Sequence, residues 1–133
     1  MRFLLDTHVF LWKLADSSRI APKVLAETED PKNDLFLSAV SLWEIAIKTR
    51  VGKLDLGGLS PKDLIDLASE MDIATIPLEA EEAVGYAELD GPDHSDPFDR
   101  MLVQQAISRG LTLVTADKNI AKFTRVGLKV LWK

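Results

Sequence analysis

The 133-residue sequence contains no cysteine. That absence removes disulfide frameworks, cysteine-ligated zinc and thiol nucleophiles in one step, and it is in keeping with a reducing, cytoplasmic setting. Long apolar runs are missing too. The amino-terminal stretch MRFLLDTHVFLWKLA is interrupted by Asp6, His8 and Lys13, carries no cleavage-site pattern, and falls short of the roughly 20 apolar residues that span a bilayer. A membrane location is therefore not expected. Nor is there an excess of positive charge: the formal net charge is −5, which argues against a broad electrostatic nucleic-acid binder. No internal repeat, linker or low-complexity segment is visible, so residues 1–133 read as one domain, long enough to bury a core without staples.

The charge that is present is unevenly placed. Residues 79–99 hold eight acids and no lysine or arginine, whereas KTRVGK at 48–53 is purely basic. A solvated helix face is the plain reading of Glu79 to Glu88. An acidic site that recruits divalent cations can still handle a polyanion, because the metal reverses the local sign of charge.

Apolar periodicity gives alternating elements. FLL at 3–5, DLFLS at 34–38, ATIPL at 74–78, LTLVT at 111–115 and LKVLW at 128–132 read as strands. Helices are expected from Thr7, over 20–30, over 41–52 with Ser41 as cap, over 60–71 opened by Ser60 and Pro61, over 79–89, from Asp96 to Gly110, and after Asp117. This alternation predicts an α/β fold: a three-layer α/β/α sandwich around a mainly parallel sheet of about five strands.

Sites in such sheets form beyond the carboxyl ends of the strands. Asp6 closes the first strand, Asp117 follows the fourth, Asp99 lies in the first turn of the helix leading to it, and Glu44 sits one turn into the helix after the second. Four carboxylates from four segments thus point to one rim. Like charges at close range do not all stay ionised without a counter-charge, and a hard divalent cation with oxygen ligands resolves the conflict. Each acid has a plain alternative. Asp6 and Asp117 suit helix caps, Asp99 complements a helix dipole, and Glu44 is placed to pair with Lys48 four residues on. Asp96 reads first as the cap of its helix. His8 and His94 lie near these acids, but an all-oxygen site needs neither. Trp12, Trp43 and Trp132 read as core or interface residues.

The segments LLDTHVFLW, SLWEIAIK, HSDPFDRMLVQQA and LVTAD, in this order, resemble a PIN domain, and more narrowly the VapC-type toxins of bacterial toxin–antitoxin pairs. The resemblance runs the length of the chain. It implies an α/β/α sandwich and a metal-dependent endoribonuclease that hydrolyses RNA with Mg²⁺ or Mn²⁺. Asp6, Glu44, Asp99 and Asp117 would be its metal-binding and catalytic acids, with Asp96 a supporting acid and Thr115 a supporting hydroxyl. The family further implies a homodimer and a small cognate antitoxin that covers the acidic groove. Lys48, Arg50, Lys53, Arg100 and His94 are the candidates for RNA contact. Two other readings remain: a PIN-like fold that only binds or scaffolds, and a receiver-like phosphoacceptor domain. The second lacks an acidic doublet after the first strand.

Overall fold

The computed structural model describes residues 1–92 and 96–132. The strands are β1 (Arg2–Leu5), β2 (Asp34–Ser38), β3 (Ile73–Ile76), β4 (Thr112–Val114) and β5 (Lys129–Leu131). They form one sheet in the order β3-β2-β1-β4-β5, and every neighbouring pair is parallel. The helices are α1 (Thr7–Ala15), α2 (Pro22–Glu29), α3 (Ala39–Arg50), α4 (Asp63–Glu70), α5 (Ala80–Gly85), α6 (Pro97–Arg109) and α7 (Lys118–Ala121). Short 3₁₀ turns follow α1, α5 and α7. Among the described residues no helix is long and apolar enough to cross a membrane.

Period-two alternation along the strands divides the core between the two faces of the sheet. Phe3, Leu5, Leu35 and Leu37 pack with Val9 and Phe10 of α1, Val24 of α2, Ile45 of α3, and Leu64 and Ala68 of α4. Leu4 and Leu113 face the other way, onto Leu102, Val103 and Ala106 of α6 and Ile120 and Phe123 near α7. Three layers result, as the alternation predicted. β1 lies centrally because the chain first builds outward through β2 and β3, then returns to lay β4 on the other flank of β1. This places the topological switch point between β1 and β4, where carboxyl-edge sites form.

Element ends differ from the sequence reading in informative ways. The helix carrying Glu44 begins at Ala39, directly from β2, and its cap is Ser38, whose Oγ accepts from the Val40 amide at 3.0 Å. Ser41, expected as the cap, is instead buried inside the helix, where it accepts a hydrogen bond from the Thr7 hydroxyl at 2.8 Å. Ser60 does not cap α4 with its hydroxyl; its amide and hydroxyl both donate to Asp63 Oδ2, at 2.7 and 3.2 Å. Helix α6 behaves as expected. Its Asp96 Oδ1 accepts from the amides of Phe98 (2.8 Å) and Asp99 (3.1 Å), and Gly110 ends it at φ 66°, a left-handed conformation that favours glycine.

Candidate metal centre at the carboxyl edge of the sheet

Asp6 is held by the two central strands. Its amide donates to the Val114 carbonyl at 3.0 Å, and its carbonyl accepts from the Phe10 amide to open α1. Its side chain makes no helix-capping hydrogen bond. Instead Asp6 Oδ2 accepts from the Thr115 hydroxyl at 2.7 Å, and the whole residue is only 4% exposed. Burial pushes its carboxyl above the ordinary carboxylate range, and the neighbouring Glu44 charge pushes the same way. The Thr115 hydroxyl, the His8 imidazole and the Thr7 amide oppose that rise.

Thr115 joins two of the candidate acids. Besides donating to Asp6, its Oγ1 accepts from the Asp117 amide at 3.0 Å. Asp117 Oδ1 in turn accepts from the Asn119 amide at 2.7 Å, so this residue is the cap of α7 while its backbone is tied to the Asp6 side chain's partner. One buried hydroxyl thus sets the relative position of the ends of β1 and β4.

Glu44 comes from the other side of β1. It is 2% exposed, and Lys48 Nζ donates to its Oε2 at 2.5 Å. Its Oε1 is fully buried and has no hydrogen-bond partner among the described residues. The i,i+4 pair was legible in the sequence as a surface contact; the structure moves its acidic member inside. Lys48 also feels Asp96 and Asp99 across the gap between α3 and α6. Its ammonium is held above the ordinary lysine range chiefly by the hydrogen bond to Glu44, with the charges of Glu44, Asp96 and Asp99 adding to it. Trp43 and Phe98, edge to face at 5.3 Å, pack these two helices together beside the acids. Trp43 is 59% exposed, so of the two readings, core or interface, the single chain excludes the first and leaves the second open. Trp12 and Trp132 are, by contrast, packed against the core with ring centres 6.0 Å apart.

The structure therefore places Asp6, Glu44, Thr115 and Asp117 at one edge, with Asp96 and Asp99 facing Lys48. Among the described residues no three acids or histidines are grouped closely enough to hold a metal ion as they stand. The chemistry of the donors nevertheless fits a hard divalent cation. They are oxygen atoms throughout, two of the acids are buried within electrostatic reach of each other, and Glu44 Oε1 is an orphaned buried acceptor.

Among the basic candidates, Arg50 and Lys53 are exposed at the end of α3 and just after it. Arg100 is turned inward. Its guanidinium donates to the carbonyls of Leu89 (3.0 Å) and Pro92 (3.3 Å) and lies over the rings of Tyr86 and Phe123. In this structure it holds the segment from Leu89 to Pro92 against α6, and among the described residues no ion pair to an acid accompanies these contacts. Gly91, at φ 124°, lets that loop lie against Phe123, where a Cβ would sit 3.0 Å from the ring. His94 lies outside the described residues. His8 is exposed on α1.

Sequence reasoning missed Glu82, assigned to a solvated face. It is 6% exposed. Arg109 Nε donates to its Oε2 at 2.5 Å, and Gln105 Nε2 donates to its Oε1 at 3.0 Å. Its partners are 23 and 27 residues distant, beyond any local pattern. A cavity of about 680 Å³ lies elsewhere: Lys13, Thr28, Asp34, Leu35 and Ala74 line it around the amino-terminal ends of β2 and β3. It contains none of the acids above.

A family model for the PIN domain matches residues 3–126. No curated protein matches the chain. Among solved structures, it is similar to VapBC2 from Rickettsia felis bound to a promoter DNA fragment (20% identity, 100% of each chain, TM-score 0.70). It is also similar to VapBC-1 from nontypeable Haemophilus influenzae (20% identity, 98% of this chain and 97% of that one, TM-score 0.67). A third is VapBC-5 from Mycobacterium tuberculosis, a member of the VapBC family of toxin–antitoxin systems (21% identity, 99% and 98% covered, TM-score 0.63). At such identities the likeness establishes a shared fold.

Proposed function

The chain belongs to the PIN domain family, and from that premise we propose that it is a metal-dependent endoribonuclease, the toxin of a toxin–antitoxin pair. The observation that carries the reading is the pair of buried carboxylates, Asp6 and Glu44, at the switch point of the parallel sheet, one with an unpartnered oxygen. A buried Asp6 carboxyl, pushed up by burial and further by the Glu44 charge, is costly to keep ionised without a cation, and such arrangements cluster where chemistry is done. Similarity to VapBC complexes supports the toxin assignment and a small antitoxin partner, with a homodimer and a cytoplasmic location as parts of the same reading.

Asp6, Glu44, Asp99 and Asp117 would hold Mg²⁺ or Mn²⁺. When bound, such an ion supplies Lewis-acid activation of water and charge stabilisation on the phosphodiester's oxygens. The chain's own residues do the rest. Thr115 fixes the Asp6 carboxylate and the start of α7. The Asp96 cap fixes the first turn of α6 and so aims Asp99. The basic end of α3, with Lys48, Arg50 and Lys53, meets the phosphates flanking the scissile bond.

The test is cleavage of a single-stranded RNA pool with Mg²⁺ or Mn²⁺, with and without EDTA, by the wild type, Asp6→Asn and Asp99→Asn. Cleavage by the wild type alone, abolished by EDTA, is expected. Undiminished cleavage in both variants or in EDTA overturns the mechanism. No cleavage by a folded wild type, with or without metal, favours a PIN-like chain that only binds, a reading to which the closed Lys48–Glu44 pair lends support.

A further inference from the structure

Lys48 and Glu44 are unequal partners. The carboxylate is fixed in the interior, its side chain 3% exposed, whereas the lysine side chain is 38% exposed and reaches inward from solvent on a flexible stem. The ammonium occupies one oxygen of Glu44 and leaves the other without a partner. From α6, Asp96 and Asp99 add their fields to the same ammonium. From β1, the Asp6 carboxyl lies within electrostatic reach of Glu44. The Lys48 ammonium therefore faces three carboxylates, Glu44, Asp96 and Asp99, and it stands at the side chains expected to take a divalent ion.

Two cations at Glu44 would repel each other. The four-carbon stem gives Lys48 a way out, and Glu44 has none. We propose that Lys48 is a built-in counter-ion that a divalent metal displaces from Glu44, so that this lysine sets how tightly the chain holds metal. The inference rests on the metal-dependent reading above. It adds an order of events: the acids stay neutralised while metal is scarce, and metal entry frees the ammonium to meet phosphate. Lys48 is thus a positioning residue that acts through Glu44.

The test is Mn²⁺ binding by titration calorimetry to wild type, Lys48→Met and Lys48→Arg, with melting of each protein in EDTA and in saturating Mn²⁺. Removing a like charge a few ångströms from the ion is expected to tighten Mn²⁺ binding on the order of tenfold in Lys48→Met. Lys48→Arg, which keeps the charge, should stay within about twofold of wild type. In EDTA, Lys48→Met should melt below the wild type, and saturating Mn²⁺ should close that gap. A purely structural lysine predicts the opposite sign, with weaker metal binding and lower melting in both conditions. Equal or weaker Mn²⁺ binding by a folded Lys48→Met, beside measurable binding by the wild type, overturns this inference alone. Absence of Mn²⁺ binding in all three proteins overturns it together with the metal-dependent reading.

Discussion

The Thr115 hydroxyl donates to Asp6 and accepts from the Asp117 amide, so Thr115→Val removes both contacts with little change of side-chain shape. Leaving a buried carboxylate and an amide short of partners costs about 1–3 kcal/mol. Urea unfolding of Thr115→Val should therefore show a loss in that range, with RNA cleavage reduced at least tenfold, while Thr115→Ser retains most of both. A Val variant as stable and active as wild type would refute the hydroxyl's linking role. Asp96 gives a second residue-scale test. Its Oδ1 accepts from two amides of the first turn of α6, a role asparagine fills and alanine does not. Asp96→Ala should cost about 1 kcal/mol in urea unfolding and Asp96→Asn much less; equal losses would mean that charge, not capping, is what the position provides. The sequence displayed both residues but ranked them unequally. Asp followed by Pro is a local signal of a helix start. The reach of Thr115 to Asp6 crosses 109 positions and appears only when β4 lies beside β1.

At the scale of elements, α5 and α6 are joined by charge. Glu82 also closes a capping box with Glu79 at the start of α5, and with Arg109 and Gln105 it ties that start to the second half of α6. Burial would raise the Glu82 carboxyl, but the hydrogen bonds from Arg109, the Glu79 amide and Gln105 outweigh it and bring it to about 2. A carboxylate depressed in the folded state contributes stability that is complete above its unfolded value near 4.5 and is lost as pH falls towards 2. The contribution is on the order of 3 kcal/mol at neutral pH. Glu82→Gln should therefore be less stable at pH 7 and show a flatter fall in stability between pH 4.5 and 2; a curve parallel to wild type would exclude Glu82 as its source. The order of elements was legible because each strand is a compact apolar run and each long helix has its own face. Their ends were not always so. Ser38 was read as the last strand residue, which it is, and its second role as cap of α3 follows from the absence of any loop between β2 and that helix. Glu82 looked solvated because its charged partner lies on another helix.

The molecule as a whole carries a conflict at the middle of its sheet. Asp6 and Glu44 are buried where apolar residues would stabilise the fold more, and the Lys48 ammonium is bound to Glu44. The acids were legible one by one from their positions at strand and helix ends; their burial was not, since it depends on α1, α3 and α6 closing over the same edge. Sites of this kind commonly trade stability for function. Asp6→Asn preserves an oxygen to accept from Thr115 while removing a buried negative charge beside Glu44. In EDTA this variant should melt a few degrees above the wild type. With Mn²⁺ the order should reverse: a ligand at about 100 times its Kd stabilises the folded state by about 2.7 kcal/mol. For a domain of this size that is a rise of several degrees, present in the wild type and absent in Asp6→Asn. Thermal melting of both proteins in EDTA and across a Mn²⁺ series checks the two halves separately. A variant that melts below the wild type without metal would show that ionised Asp6 is not a burden on the fold. A variant that keeps the full Mn²⁺ shift would remove Asp6 from the ligands. Only the crossing of the two orders, higher without metal and lower with it, makes the buried acids one device in which the fold gives up stability that metal restores.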